Sequence, residues 1–483
     1  MYAFLSVYSK TGIEDFAREL RKLGYHIIAS GGTAKHLKAA AVPVTDLAKL
    51  IGAGEMLHHK VVTLDRKFHA MLLADESPEE TMELNKLGVP RIDLLCCDFY
   101  PQVKIGQTDI GGPTMIRAAT KGKRIVICDV ADRDRVISAL NKDKIEGLKK
   151  QLWAKAELSV AEYVRESAQK YLPHLPVKYG ENRWQKNSSL LITANEDPFS
   201  PEKFTLKEGS DRSYINFTDI DRLLQSATHI AAGFKKNFKN IPKLAIGAKH
   251  GNLCGAGIGG DALKKMLSGD PQAISGGWVL VNFAIGQKEA KLLKEGRILD
   301  GVIAPAITDD AIEILARKSG KCRIVVNKKL RTHLHMLDEH LRFRYIRGGV
   351  LTQSNYTFVP VLKNKDLLLA WAVGSTSNSN TVTLVRDGTL IANATGQQSR
   401  VLACRLALMI AKNSGHEING SAAYSDSFFP FLDGPKLLVD NGVKSLFVTS
   451  GSIRDKEVFD YLKSSEIKVF SPSDEEARGF YAH

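Results

Sequence analysis

Short apolar runs alternate with helical pattern over the first ~130 residues, and this rhythm limits the fold more than any other feature of the chain. Residues 3–7, 25–29, 92–97 and 124–128 read as buried strands. Between 11 and 23, Ile13, Phe16, Ala17, Leu20 and Leu23 share one helical face. Thr11 and Glu14 have capping-box spacing, Gly24 supplies the stop, and a second helix is expected from Ala34. Strand and helix in this order predict an α/β fold with a parallel, doubly wound sheet. Residues 131–172 read as polar helix, with Val160, Tyr163, Val164, Ala168 and Tyr171 as its stripe. Pro173-His174-Leu175-Pro176 reads as a linker, which divides the chain into domains at 1–175 and 176–483. The second is again mixed α/β and long enough for two subdomains, with no short-period repeat.

The chain has 483 residues, enough for about two to four domains with ample core. Apolar runs such as residues 278–281 are far too short to span a membrane, and the N-terminus has the pattern of a first strand. The six cysteines form no C-x-x-C pair and no zinc spacing, so reduced thiols in a cytoplasmic protein without a metal are expected. A net charge of +14 favours anionic ligands, yet the basic residues are dispersed and match no RNA- or DNA-binding motif.

Several loops carry chemistry. Ala248-Lys249-His250-Gly251-Asn252 follows an apolar run, so Lys249 and His250 belong at a strand end. Histidine moves protons near neutral pH and lysine neutralises developing negative charge. Ser9-Lys10-Thr11-Gly12 and Ser30-Gly31-Gly32-Thr33 each join a strand to a helix N-terminus, where free amides and the helix dipole favour a phosphate. The plain alternative is a pair of ordinary helix caps. Asp109 precedes Gly111-Gly112, and Lys121 lies one helix later and could face the same pocket. Lys178-Tyr179-Gly180-Glu181-Asn182, Asp300-Gly301, Ser379-Asn380, Gly396-Gln397-Gln398-Ser399-Arg400 and Ser425-Asp426 are each expected at a turn after an apolar run.

The order of these segments resembles the bifunctional AICAR transformylase/IMP cyclohydrolase family of purine biosynthesis over essentially the whole chain. The shared motifs are S-x-K-T-G, S-G-G-T, D-I-G-G-P-T-M-I-R-A-A, K-Y-G-E-N, K-H-x-N-x-C-G, D-G-V-I-A-P, G-Q-Q-S-R and S-D-x-F-F-P-F. The resemblance implies a methylglyoxal-synthase-like first domain and a second made of two cytidine-deaminase-like subdomains without zinc. It implies a homodimer that moves a formyl group from 10-formyltetrahydrofolate, a co-substrate, to AICAR. The product, FAICAR, is then closed to IMP. By the same likeness His250 shuttles the proton, Lys249 serves the oxyanion or the leaving folate nitrogen, and Asn380 orients the transfer. Lys178, Tyr179, Asp300 and Arg400 fall at nucleotide or folate positions. Lys10, Ser30, Gly31, Gly32 and Thr33 match the phosphate loops of the cyclohydrolase, and Tyr100, Asp109 and Lys121 its active-site positions.

The chain also departs from the family. Val62 and Asp65 stand where a catalytic lysine and a histidine are usual, and Tyr8 replaces a phosphate-contacting serine. Lys60, two residues from Val62, would face the same side of a strand and could substitute for the lysine. Arg183-Trp184 replaces Pro-His, and Asn378 replaces a lysine. Three readings follow: the bifunctional enzyme, a transformylase whose first domain binds nucleotide but cyclises poorly, and a catalytically weak nucleotide-binding protein.

Overall fold

The computed structural model describes residues 1–52, 56, 61–102, 108–172, 174–186, 188–193 and 196–483. The chain forms two compact units, Met1–Leu172 and Pro173–His483. His174–Pro176, expected as linker, is a short strand (β6) paired antiparallel with Ser189–Leu191 (β7).

In the first unit β1 (Tyr2–Ser6), β2 (His26–Ala29), β3 (Thr45–Asp46), β4 (Leu94–Cys97) and β5 (Ile125–Ile127) make an all-parallel sheet. Its order is β3-β2-β1-β4-β5. Alternation along the strands buries both faces. Leu5, Ile27, Leu94 and Ile125 enter one core, while Phe4, Ile28, Leu95 and Val126 enter the other. The first helix is Ile13–Lys22, and its N-cap is Gly12 in the left-handed region at φ 64°, without a side-chain cap bond. The expected Thr11–Glu14 capping box is therefore not made, because glycine takes the cap position. The second helix begins at Gly31, ahead of Ala34. On the Ile145–Tyr171 helix, Leu148, Leu152, Ala156, Val160 and Tyr163 are buried, whereas Val164 and Tyr171 are exposed. The buried stripe is thus displaced toward the N-terminus of the helix.

The second unit is built on an 11-stranded sheet of order β20-β19-β18-β16-β17-β10-β9-β11-β12-β13-β8. These strands are β8 (Thr205–Glu208), β9 (Leu244–Lys249), β10 (Asn252–Ile258), β11 (Trp278–Val281), β12 (Gly301–Ala304) and β13 (Arg323–Val326), followed by β16 (Val382–Arg386), β17 (Thr389–Ala394), β18 (Ala422–Ser425), β19 (Ser445–Phe447) and β20 (Lys468–Phe470). A separate exposed hairpin, β14 (Arg342–Ile346) and β15 (Gly349–Gln353), lies between the two groups in sequence. The sequence of elements is duplicated. A leading helix, a hairpin and three parallel strands with intervening helices run from Tyr214 to Val326, and the same series, with a shorter leading helix, runs from Lys365 to Phe470. The two halves meet where β10 pairs antiparallel with β17. Their leading helices, Tyr214–Phe238 and Lys365–Gly374, share one core, in which Leu223, Ile230 and Phe234 join Leu368 and Trp371. No helix among the described residues is long and apolar enough to cross a membrane. All six cysteines are free.

Candidate active sites

In the first unit the parallel pairing of β1 and β2 brings their following loops side by side. Ser6 and Ser30 hydroxyls lie 2.9 Å apart, and Thr33 Oγ1 accepts from Val7 N at 3.1 Å and from Lys10 Nζ at 3.1 Å. Burial pulls the Lys10 ammonium below its usual range, against the opposing charge of Asp98. Gly31 and Gly32 are exposed at the N-terminus of the Gly31–Ala39 helix, and a Cβ on either would meet open space. Lys10, Ser30, Gly31, Gly32 and Thr33 thus lie together where β1 and β2 end, with the Lys10 ammonium also donating to Val7 O. The neighbouring loop is different. Its Tyr8 and Ser9 amides both donate to the carboxylate of Asp98, so they are not the free amides expected there.

Tyr163, from the Ile145–Tyr171 helix, ties a second cluster together. Its hydroxyl donates to Tyr100 O at 3.0 Å and accepts from Asp109 N at 2.8 Å. Asp109 Oδ1 accepts from Gly112 N at 2.8 Å. Burial raises the Asp109 carboxyl, and burial together with Asp109 raises the Tyr100 phenol. Thr63 borders this turn, because a Cβ on Gly111 would lie 2.6 Å from its hydroxyl. The structure does not bring Lys121 to the cluster. Lys121 ends the Gly111–Lys121 helix, exposed, while Asp109 precedes its start, so the helix separates them by about 15 Å. Asp65 caps the Arg66–Leu73 helix, accepting from Lys67 N at 2.8 Å and Phe68 N at 3.0 Å. It serves a fold role where the resemblance expects histidine. Lys60 lies outside the described residues.

In the second unit, strand register alone gathers most of the expected residues at one edge of the sheet. Lys249 pairs with Asn252 around a two-residue turn in which His250 (φ 53°) and Gly251 (φ 69°) are both left-handed. That is the geometry of a type I′ hairpin turn, whose twist matches the strands. Ala248 pairs with Trp278, and Trp278 pairs in parallel with Gly301, so Asp300 precedes β12 at the same edge. Asp300 comes before its apolar run, and a Cβ at Gly301 would run into the Trp278 ring. From Gly257↔Thr389, the antiparallel pairing carries the end of β17 to this edge as well. Val382, the start of β16, pairs with Ala394 and Ser425, which adds Asn380, Gln397, Arg400 and Asp426.

The edge is charged and hydrogen-bonded. Lys249 Nζ donates to Ser275 O at 2.6 Å. Asp219, 3% exposed, accepts from Gly251 N at 2.6 Å. Burial raises its carboxyl, opposed by that amide and by His250. Burial also raises Asp300, against the pull of Arg323, Arg317, Lys249 and His250. Arg400 Nη2 donates to Asn380 Oδ1 at 2.7 Å, and Nη1 donates to Ser425 Oγ at 2.9 Å and to the fully buried Asp426. Asn380 Nδ2 donates to Gln397 O at 2.8 Å. Lys249, His250 and Asn393 line a cavity of about 220 Å³, and Asn393 Nδ2 bridges Leu253 O at 3.0 Å and Ser377 Oγ at 3.1 Å. Asn393 thereby links β10 to the segment that precedes Asn380. Lys178 N and Tyr179 O pair instead with Arg212 O and Tyr214 N, at the start of the Tyr214–Phe238 helix, and Lys178 is exposed. Asn378 Oδ1, where a lysine was expected, accepts from Arg222 Nη2 at 3.2 Å. Sequence reasoning missed Asp219, Arg222 and Asn393. Elsewhere, Asp197, Asp338 and His340 bring ligand atoms within 4.8 Å of one another, but Asp338 already accepts from Gln225, Asn355 and His340.

A family model described as the AICARFT/IMPCHase bienzyme matches residues 122–410, and one described as an MGS-like domain matches residues 12–121. Proteins named "Bifunctional purine biosynthesis protein PurH" are similar along nearly the whole chain. That of Persephonella marina is 30% identical over 94% of this chain and 95% of its own length. That of Mycobacterium marinum is 31% identical over 94% of each, and that of Neisseria meningitidis is 28% identical over 95% of each. A solved chain titled "Crystal structure of ForH" is 31% identical, covering 35% of this chain and 95% of that chain at a TM-score of 0.29.

Proposed function

The chain belongs to the AICARFT/IMPCHase bienzyme family, an enzyme family of purine biosynthesis, and on that premise we propose a residue-level account of both reactions. The second unit transfers the formyl group of 10-formyltetrahydrofolate to AICAR. The AICAR amine attacks the formyl carbon, and the bond from that carbon to the folate nitrogen breaks. The proton lost by the amine passes through His250 to the leaving nitrogen. Lys249 faces the oxyanion formed on the way, and Asn380, fixed by Arg400 and Gln397 O, orients the formyl group. Asp300 and Arg400 lie within reach of the nucleotide or the folate, and Lys178 and Tyr179 bind substrate. The observation that carries this reading is the single sheet edge shared by Lys249, His250, Asn380 and Arg400.

The first unit closes FAICAR to IMP with loss of water. Lys10, Ser30, Gly31, Gly32 and Thr33 hold the phosphate, while Asp109 and Tyr100 handle protons. A second reading, a first unit that binds nucleotide but cyclises poorly, is favoured by Asp98. Its carboxylate occupies two amides of the loop that leads to Lys10. No charged side chain stands at Val62. We further assign the protein to the cytoplasm as a homodimer. The exposed Phe343, Tyr345, Val350 and Leu351 of the β14–β15 hairpin support a subunit contact.

Two assays on purified protein test the reading. AICAR with 10-formyltetrahydrofolate should release tetrahydrofolate, and FAICAR alone should give IMP faster than a protein-free control. Release without accelerated closure would establish the second reading. No release would overturn the transformylase assignment.

A further inference from the structure

The Tyr214–Phe238 helix touches both parts of the proposed transformylase site within one turn. Asp219 holds the Gly251 amide, and Arg222, three residues on, reaches the loop that carries Asn380. Residues three apart share a helix face. Arg222 is 5% exposed. Its Nη1 donates to Thr376 O and its Nη2 to Asn378 Oδ1. Thr376 and Ser377 follow the Lys365–Gly374 helix and donate their hydroxyls to Ala372 O at 2.9 Å and Val373 O at 2.8 Å, and Asn378 forms an isolated parallel bridge with Ala482.

What holds the guanidinium in turn is the end of the chain. The Arg222 Cζ lies 3.8 Å from the centre of the Tyr481 ring, and the Arg342 Cζ lies 3.7 Å from it. The Tyr481 hydroxyl donates to Asp221, the residue before Arg222. The backbone here runs alongside the same loop. Tyr481 N donates to Ser377 O at 2.8 Å, and Ser379 N donates to Ala482 O at 3.0 Å. Arg342 Nη1 closes the arrangement on Tyr481 O at 2.7 Å. A planar guanidinium stacked on an aromatic face loses little freedom when it forms directed hydrogen bonds.

We propose that Arg222 and Tyr481 are positioning residues for formyl transfer. The Tyr481 ring clamps the Arg222 guanidinium, and the clamped guanidinium sets the 376–380 loop so that the Asn380 amide meets the formyl group. Neither residue touches the reacting atoms. The same helix turn fixes the His250 turn through Asp219, so the clamp sets the distance between the proton-transfer group and the orienting amide. This rests on the transformylase reading of the site.

The test uses full-length protein and the variants Tyr481→Leu, Tyr481→Phe and Arg222→Lys. Tyr481 is half-buried and does not belong to the hydrophobic core of the second unit. Tyr481→Leu is expected to lower kcat about 10- to 100-fold, as a displaced reacting group does, while KM for AICAR and the urea midpoint stay unchanged. Tyr481→Phe keeps the ring and should restore most of the rate. Arg222→Lys cannot make the two directed bonds and should resemble Tyr481→Leu. Hydrogen exchange at residues 376–382 should be faster in Tyr481→Leu and Arg222→Lys than in the wild type. A Tyr481→Leu variant with wild-type kcat, or with unchanged exchange in that loop, overturns the proposal. An inactive wild type would defeat the transformylase reading alone, since the exchange comparison still decides whether the clamp sets the loop.

Discussion

The second unit contains the same hairpin twice, and the two copies differ where it matters. In the first half the β9–β10 turn is His250-Gly251, and in the second the β16–β17 turn is Asp387-Gly388. All four residues are left-handed, with φ of 53° and 69° in one turn and 51° and 70° in the other. Each turn is tied to the helix that leads its half. Gly251 N donates to Asp219, and Asp387 N and Gly388 N donate to Asp366, both at 2.8 Å. Aspartate tolerates this backbone because its short side chain bonds locally, whereas most other L-residues are strained there by about 1 kcal/mol. The antiparallel seam at β10 and β17 sends the two turns to opposite edges of the sheet. Only the first faces Asn380 and Arg400. A duplicated fold thus supplies two equal turns, and the proposed chemistry uses the one that the other half completes.

Exchanging the turn residues tests this contrast most severely. His250→Asp should leave the turn intact yet cut formyl transfer about 10²- to 10⁴-fold, the usual worth of a positioned proton-transfer group. Tetrahydrofolate release gives the number, and a wild-type rate would break the comparison. The reciprocal Asp387→His should leave the rate alone and shift the urea unfolding free energy by no more than about 1 kcal/mol.

Removing the tethering carboxylates gives a smaller, graded effect. Asp219→Ala removes a carboxylate that is 3% exposed, leaves the Gly251 amide without its partner, and should cost about 1–3 kcal/mol in urea unfolding. Asp366→Ala removes a half-buried carboxylate whose place water can take, and should cost less. Equal losses would mean that the two tethers are equivalent.

The smallest effect is a pH dependence. Burial holds the Asp219 carboxyl above its ordinary value in the fold. The native state therefore keeps this proton where the unfolded chain, titrating near 4, has already released it. Stability from this group falls as pH rises from about 4 through its folded pKa, then levels off. Asp219→Asn does not titrate, so its stability relative to wild type should grow across that window. Urea midpoints from pH 4 to 8 would show the trend, and a difference independent of pH would remove Asp219 from the account.

Much of this architecture is legible in single residues, and the failures have physical causes. The apolar lead-in to Lys249 gives the strand, but nothing in His250 announces a left-handed residue, since asparagine, aspartate and glycine dominate such turns. The Thr11–Glu14 spacing looks like a capping box until Gly12 takes the cap. Asp109 and Lys121 look close in sequence, yet a straight helix holds them apart. Asp219-Ile220-Asp221-Arg222 reads as an ordinary charged helix face, and its role depends on loops more than 25 residues away for Gly251 and 150 for Asn378. The duplication is written in the order of elements rather than in repeated residues, so scanning for a period does not find it.

The order of the 11-stranded sheet also bears on how the protein behaves in a crowded solution. Joining two half-sheets through β10 and β17 leaves only β8 and β20 at the margins. One has four residues and carries Lys207 and Glu208, and the other has three and begins at Lys468. Short, charged margins offer little template for another chain to add a strand. Pairing at the seam thus protects the longest strands from self-association, leaving sheet-to-sheet polymerisation little purchase.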